Sequence, residues 1–163
     1  TNMRLTKQPY DVWEREKYLT VTDSESIDYD VIRDDIIALN SIYRVKEVAI
    51  DRWNANHLGT QLEKARLTVF GIGMGYASMS EPAKYLEKSI ADKKICHFND
   101  PVLNWQIGNV VLDRDAKDNI CPNKAKSSEK IDAVVATICG IARYLANKKP
   151  DQSVYKSRGI ISL

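Results

Sequence analysis

Hydrophobic and polar positions predict alternating helices and strands along the first half of the chain. Between residues 28 and 43, apolar residues recur at helical spacing with acids among them, which indicates an amphipathic helix. Residues 45–50 and 68–72 indicate two short strands, and residues 54–67 between them return to helical composition. This alternation favours an α/β fold with a largely parallel sheet.

The second half adds a predicted hairpin between further helices. Ser80 and Pro82 predict the N-cap and first turn of a helix that ends near residue 91, and Pro101 predicts the start of another. Residues 94–98 indicate a short strand, and residues 110–113 and 119–122 flank a polar tip, which predicts a hairpin. Ser128 is expected to cap a long helix over residues 129–147.

The length of 163 residues fits one domain, which we predict to span residues 1–163. Residues 1–27 lack a clear period and are expected to form an irregular lead-in, and the polar residues 148–163 a loose tail. Three widely spaced cysteines argue against a disulfide framework or a structural zinc site and favour a reducing cytosol. No apolar run approaches the ~20 residues of a membrane span, so no membrane association is expected.

Asp51 is the first candidate for chemistry because it directly follows the apolar residues 48–50. Ligands of open α/β sheets bind just beyond the carboxyl ends of strands, so this aspartate is placed to contact one. Position alone also suits a turn residue or a helix N-cap, since aspartate favours both.

Asp132 is the second candidate because of the helix in which it lies. This helix is apolar nearly all round, so we expect it to be buried together with its carboxylate. A buried carboxylate is costly unless it is paired or binds a cation, although the helix dipole and free N–H groups could also stabilise it there. Two such aspartates could share divalent ions, and hard oxygen ligands suit Mg²⁺ or Mn²⁺.

Lysines gather in the segment that leads into the Asp132 helix, at Lys117, Lys124, Lys126 and Lys130. The net charge is only +2, so any nucleic-acid binding must depend on where these charges lie. A solvated loop is the ordinary role of such a run, and a phosphate-holding surface beside the carboxylates is the functional alternative. Glycines at 71, 73 and 75 follow a strand but match no phosphate-binding fingerprint, so we interpret them as a flexible loop.

Several motifs in shared order resemble the tailed-phage terminase large subunits of the HK97-like group. Asp51 and Trp53 match an Asp-x-Trp element, and Lys130, Ile131 and Asp132 match a closing Lys-Ile-Asp motif. The matching segments lie at residues 10–16, 48–55, 80–87, 97–105, 109–110, 122–124 and 130–136. The likeness covers nearly the whole chain, from about residue 9 to residue 146.

This resemblance implies a C-terminal nuclease domain of ribonuclease H-like fold, with a mixed sheet flanked by helices. Such domains are endodeoxyribonucleases that cut concatemeric phage DNA by two-metal phosphodiester hydrolysis, with Mg²⁺ or Mn²⁺ held by three acids. Asp51 matches the second acid and Asp132 the third, and both are expected to be catalytic metal ligands. Lys124, Lys126 and Lys130 are expected to contact double-stranded DNA.

The motif for the first acid is absent from this sequence, so the resemblance implies an N-terminally truncated domain that lacks its first strands. Glu47, Asp113 and Asp115 are alternative sources of a third carboxylate. Implied partners are the terminase ATPase domain of the same full-length chain, the small terminase subunit and the portal protein, in the host cell cytoplasm.

Two rival functions stay open from the sequence. One is a non-catalytic DNA-binding or motor-docking module of the packaging machine, since one metal ligand is missing. The other is a small nucleotide-binding α/β domain, suggested only by the glycine loop.

Overall fold

Helices and strands follow one another in α/β order in the computed structural model, which describes residues 8–22, 26–53 and 55–148. In chain order the elements are α1 (Tyr10–Arg15), α2 (Tyr29–Ile42), β1 (Val48–Asp51), α3 (Asn56–Lys64), β2 (Val69–Ile72), α4 (Tyr76–Ala91), α5 (Pro101–Asn109), β3 (Leu112–Arg114), β4 (Ile120–Pro122) and α6 (Asp132–Asn147). None of the helices within these residues is both long and apolar enough to cross a membrane.

Strands β1 and β2 pair in parallel, with Val48 opposite Val69 and Asp51 opposite Ile72. Parallel neighbours need a crossover, and α3 provides it by connecting the two strands. Strands β3 and β4 form the predicted hairpin and pair antiparallel. Within the described residues, parallel and antiparallel pairing therefore occur in two separate two-stranded sheets.

The main core lies where α6 packs against α4, α5 and β1, while β4 packs against α4. Met79 of α4, Ile120 of β4 and Ile138 of α6 are at most 1% exposed. A smaller cluster forms around Leu62 of α3 and is covered by residues of α2 and β1. Helix α2 itself has no buried residue, and Asp28 begins it by accepting hydrogen bonds from the backbone N–H groups of Asp30 and Val31.

Helix α4 begins at Tyr76, one turn before the N-cap predicted at Ser80. The Ser80 hydroxyl instead accepts a hydrogen bond from the backbone N–H of Ile120, 3.1 Å away, and so ties α4 to β4. Pro82 is therefore inside the helix, where it lacks the N–H that would bond one turn back. The prediction was wrong because Ser80 serves a tertiary contact, and Pro82 lies in a helix that has already begun at Tyr76.

Two further predictions of local structure were wrong. The long C-terminal helix begins at Asp132 rather than Glu129, and the hydroxyl of Ser128 contacts Asn109 Oδ1 at 3.2 Å instead of capping the helix. Residues 94–98 form no strand, and Phe98 and Asn99 have positive φ angles of 51° and 59° that no strand tolerates.

The lead-in predicted to be irregular contains helix α1. Its Trp13 is 6% exposed and packs against Trp105 of α5, with 5.4 Å between the ring centroids. Tyr10 contacts both tryptophans edge-on. A helix of six residues is too short to be stable alone, so this distant aromatic contact explains why local periodicity missed it. Residues 149–163 of the predicted tail lie outside the described residues.

Candidate active site

A cleft of about 430 Å³ brings Asp51 and Asp132 onto one surface. Asp51 reaches it from the end of β1, and Asp132 reaches it from the start of α6. Lys124 adds a positive charge to the rim, while the wall between these residues is largely apolar, with Ala49 and Val135 among its members. Two acids 81 positions apart in the sequence thus face the same cleft, because α6 packs directly on β1.

Asp51 makes a turn contact and also lies at the cleft. Its Oδ1 accepts a hydrogen bond from the backbone N–H of Trp53 at 3.0 Å, which is the turn role. The same side chain lines the cleft at the carboxyl end of a parallel strand. Burial raises the pKa of the Cys139 thiol, and the negative charge of Asp51 raises that pKa further.

Asp132 is exposed, so the prediction that it is buried was wrong. Its side chain is 59% exposed because α6 starts at this residue. The helix also carries an exposed stripe at every fourth position, formed by Asp132, Ala136, Gly140 and Tyr144. Ala136 and Gly140 of that stripe are small and non-polar, so the sequence pattern indicated a helix buried on every side. In the structure this stripe is exposed, and Ala136 forms part of the cleft wall.

Lys124 contacts Asp132 directly, with 2.5 Å between its Nζ and Asp132 Oδ1. The loop that carries Lys124 is fixed by Asn123. The Asn123 Oδ1 accepts from the backbone N–H groups of Ala125 and Lys126, and the Asn123 carbonyl accepts from the Ser127 hydroxyl. The hairpin thus leads into a tight turn that presents Lys124 to the cleft.

Gln106 of α5 supports the start of the Asp132 helix. Helix α6 has no side-chain cap from its own N-cap residue, Ile131. Gln106 is 8% exposed, and its Oε1 accepts from the backbone N–H of Ala133 at 2.6 Å. One of the free N–H groups in the first turn is thereby satisfied from a neighbouring helix.

Two of the three predicted DNA-binding lysines lie beside the cleft. Lys130 lines an adjoining groove of about 320 Å³ that also contains Lys124 and Asp132. Lys126 points elsewhere: its Nζ is 2.6 Å from Asp113 Oδ1. That contact, together with the hydrogen bond from Asn123, lowers the pKa of the Asp113 carboxyl.

The three alternative carboxylates are hydrogen-bonded to other groups, and none of them is among the residues that line the cleft. Glu47 accepts hydrogen bonds from Arg143 and Asn147, and Asp113 accepts from Lys126 and Asn123. Asp115 accepts from backbone groups of the hairpin turn, at residues 117 and 119. Across residues 8–22, 26–53 and 55–148, no group of three or more metal-ligating side chains converges. Within these residues the candidate metal donors at the cleft are therefore the two aspartates, Asp51 and Asp132.

Comparison with known proteins identifies the family of the chain. A sequence model described as "Terminase large subunit, endonuclease domain" matches residues 2–148, most of the chain. The chain belongs to this terminase endonuclease family. The family membership confirms the resemblance to terminase large subunits.

Individual relatives extend the comparison. The chain is 34% identical over 164 residues to "Protein YmfN" of Escherichia coli (strain K12), covering 98% of this chain and 36% of that protein. It is 30% identical over 132 residues to "Terminase, large subunit" of Enterobacteria phage HK97, covering 80% of this chain and 26% of the phage protein. The chain thus spans about a quarter to a third of these relatives.

A solved structure supports the fold as well. The crystal structure of the HK97 bacteriophage large terminase matches with a TM-score of 0.80 and 27% identity, over 87% of this chain and 30% of that one. The match confirms the α/β fold class and is consistent with a ribonuclease H-like nuclease domain.

Gln106 and Asn123 are the residues that sequence reasoning missed. A signal for Gln106 existed, because it falls one turn after Val102 on the buried side of α5, and a polar residue there needs a partner. Asn123 gave less warning, since asparagine after a strand reads as an ordinary turn former.

Proposed function

We propose that this chain is a metal-dependent DNA endonuclease domain that cuts by two-metal phosphodiester hydrolysis. One observation carries the proposal: Asp51 and Asp132 line the same cleft with Lys124 on its rim. Membership of the terminase endonuclease family supports the substrate class. The two carboxylates and the positive charges beside them support the hydrolytic chemistry.

The two aspartates fit the ions that the proposal needs. Carboxylate oxygens are the ligands preferred by Mg²⁺ and Mn²⁺, and Mg²⁺ is commonly held by one or two carboxylates with water and substrate phosphates completing its shell. An open cleft suits this mode better than a closed cage. When bound, such ions lower the pKa of a coordinated water and stabilise a leaving oxygen.

The positive side chains suit a phosphate backbone. Lys124 lies on the cleft rim and Lys130 lies in the adjoining groove, so both can approach a strand that enters the cleft. Lysine contacts position DNA through phosphates without reading bases, and we therefore propose low sequence preference. Lys126 remains a predicted DNA contact, although Asp113 neutralises its charge here.

Family membership also supports a proposal about the biological setting. We propose that the domain cuts concatemeric double-stranded phage DNA during genome packaging, in the host cell cytoplasm. The terminase ATPase domain, the small terminase subunit and the portal protein are the proposed partners.

Substitution of the two aspartates tests the proposal. Asp51→Asn and Asp132→Asn should each reduce Mn²⁺-dependent nicking of supercoiled plasmid by about 100-fold or more, since loss of a group that merely orients a metal ligand already costs about 10–100-fold. Asp118→Asn is the matched control. Asp118 is also exposed and paired with a cation, Arg114, and asparagine tolerates its φ of 62°.

The outcomes separate the rival functions. Nicking that survives Asp132→Asn would remove the catalytic assignment. A chain that binds duplex DNA but nicks none of it with any divalent ion would favour the non-catalytic DNA-binding or docking module. The nucleotide-binding alternative finds little support in the loop, because Gly75 does not adopt a positive φ and a Cβ there would meet nothing within 4 Å. Glycine is therefore not required at that position.

A further inference from the structure

The Lys124 ammonium lies 2.5 Å from Asp132 Oδ1 and would therefore compete with a divalent cation for this carboxylate. We propose that Lys124 exchanges between Asp132 and a DNA phosphate, so that cation binding and DNA binding promote each other. The inference rests on the proposed function and adds a coupling between its two ligands.

Hydrogen bonds hold the backbone of the turn, so the proposed exchange needs movement of the Lys124 side chain alone. Asn123 holds the turn through its hydrogen bonds to the backbone N–H groups of Ala125 and Lys126. Ser127 donates to the Asn123 carbonyl and accepts from the backbone N–H of Val111, which ties the turn to the segment before β3. The backbone at Lys124 is thereby fixed, while its four-carbon stem stays free to rotate.

The ion pair is easily broken. The side chains of Lys124 and Asp132 are 65% and 59% exposed, and exposed ion pairs contribute little because water and salt screen them. A divalent cation and an ammonium repel each other when they share one carboxylate. Cation binding therefore expels Lys124 from Asp132.

The expelled ammonium remains beside the path proposed for DNA. Lys124 and Asp132 line both the cleft and the adjoining groove that contains Lys130. A phosphate in this region replaces the carboxylate as the partner of Lys124. Linkage then requires the effect to be reciprocal: a cation that frees Lys124 raises DNA affinity, and DNA that captures Lys124 raises cation affinity by the same factor.

Lys126 offers a matched control on the same loop. It forms a similar ion pair, with 2.6 Å between its Nζ and Asp113 Oδ1, and its side chain is 62% exposed. Neither member of that pair is among the residues that line the cleft. Loss of Lys126 removes the same charge from the same turn but leaves the contact between Lys124 and Asp132 in place.

The test compares Lys124→Met and Lys126→Met with the wild-type chain. Mn²⁺ affinity is measured by isothermal titration calorimetry, and DNA affinity by fluorescence anisotropy with a short phosphorothioate duplex that resists hydrolysis, with and without Mn²⁺. Lys124→Met should raise Mn²⁺ affinity about two- to fivefold in the absence of DNA, the range that loss of one exposed ion pair allows. Lys126→Met should leave Mn²⁺ affinity near the wild-type value. Because Lys126 is a predicted DNA contact, its loss should lower DNA affinity by the same factor with and without Mn²⁺.

The coupling gives the second readout. The factor by which Mn²⁺ raises DNA affinity should fall in Lys124→Met and persist in Lys126→Met. Equal Mn²⁺ affinities in Lys124→Met and wild type, or equal coupling factors, would overturn the exchange and leave the proposed function intact. A wild-type chain that binds no Mn²⁺, or an Asp132→Asn variant that binds it as the wild type does, would overturn the metal site and the exchange together.

Discussion

Replacing Gln106 with methionine should loosen the start of α6 and, with it, the position of Asp132. The Gln106 Oε1 accepts the Ala133 N–H at 2.6 Å from a side chain that is only 8% exposed. Methionine fills a similar volume without an acceptor. The substitution therefore leaves a backbone donor unsatisfied at a helix terminus that has no other side-chain cap.

The expected cost can be bounded in two ways. Loss of an N-terminal cap destabilises a protein by about 0.5–2 kcal/mol. A buried donor left without a partner costs about 1–3 kcal/mol. We expect about 1–2 kcal/mol because Ala133 lies close to solvent at the helix end, and for a domain of this size that corresponds to a fall of about 2–8 °C in Tm.

Gln61→Met is the matched control for this prediction. Gln61 donates to Asp30 Oδ1 at 2.9 Å, but its own Oε1 is buried and has no hydrogen-bond partner. The same substitution there removes an exposed hydrogen bond together with an unsatisfied buried acceptor. These two effects have opposite signs, so the free energy of unfolding should change by less than about 0.5 kcal/mol. Urea denaturation followed by circular dichroism measures both variants.

The two urea midpoints decide whether Gln106 stabilises α6. Equal urea midpoints for Gln106→Met and Gln61→Met would show that the contact to Ala133 does not stabilise α6. Gln106→Met should also weaken Mn²⁺ binding, because the first turn of α6 carries Asp132. Unchanged Mn²⁺ affinity in a clearly destabilised variant would show that the hydrogen bond from Ala133 to Gln106 does not position Asp132 for metal binding.

Two further predictions concern stability. Trp13→Ala should lower the free energy of unfolding by about 3 kcal/mol, the lower end for a buried aromatic residue, because α1 can detach rather than leave a cavity. Trp13→Phe keeps a ring against Trp105 and should cost less. A loss below about 1 kcal/mol for the alanine variant in thermal melts would contradict this prediction. The hydrogen bond from Arg143 lowers the pKa of Glu47 below its ordinary 4.5, so its stabilising effect is present above that pH and is lost as pH falls through the lowered pKa. Glu47→Gln should therefore flatten the acid limb of a stability–pH curve, and an unchanged limb would exclude the contribution.

Local patterns in the sequence determined most of the elements. The helix from Asp28, the two parallel strands, the helix at Pro101 and the hairpin were all predicted, because each depends on apolar periodicity or on a residue that caps its own helix. Predictions based on local capping signals were wrong at Ser80 and Ser128. Both serines bond to distant partners, at Ile120 and Asn109, which no local rule contains.

The same division applies to the candidate site. The sequence by itself selected Asp51, Asp132 and the lysines, because a strand end and an ordered set of motifs can be recognised from local sequence. Only tertiary packing decided that the two carboxylates line one cleft, that Lys124 rather than Lys126 reaches Asp132, and that Gln106 caps α6. These facts depend on contacts between residues far apart in the chain, which sequence spacing does not encode.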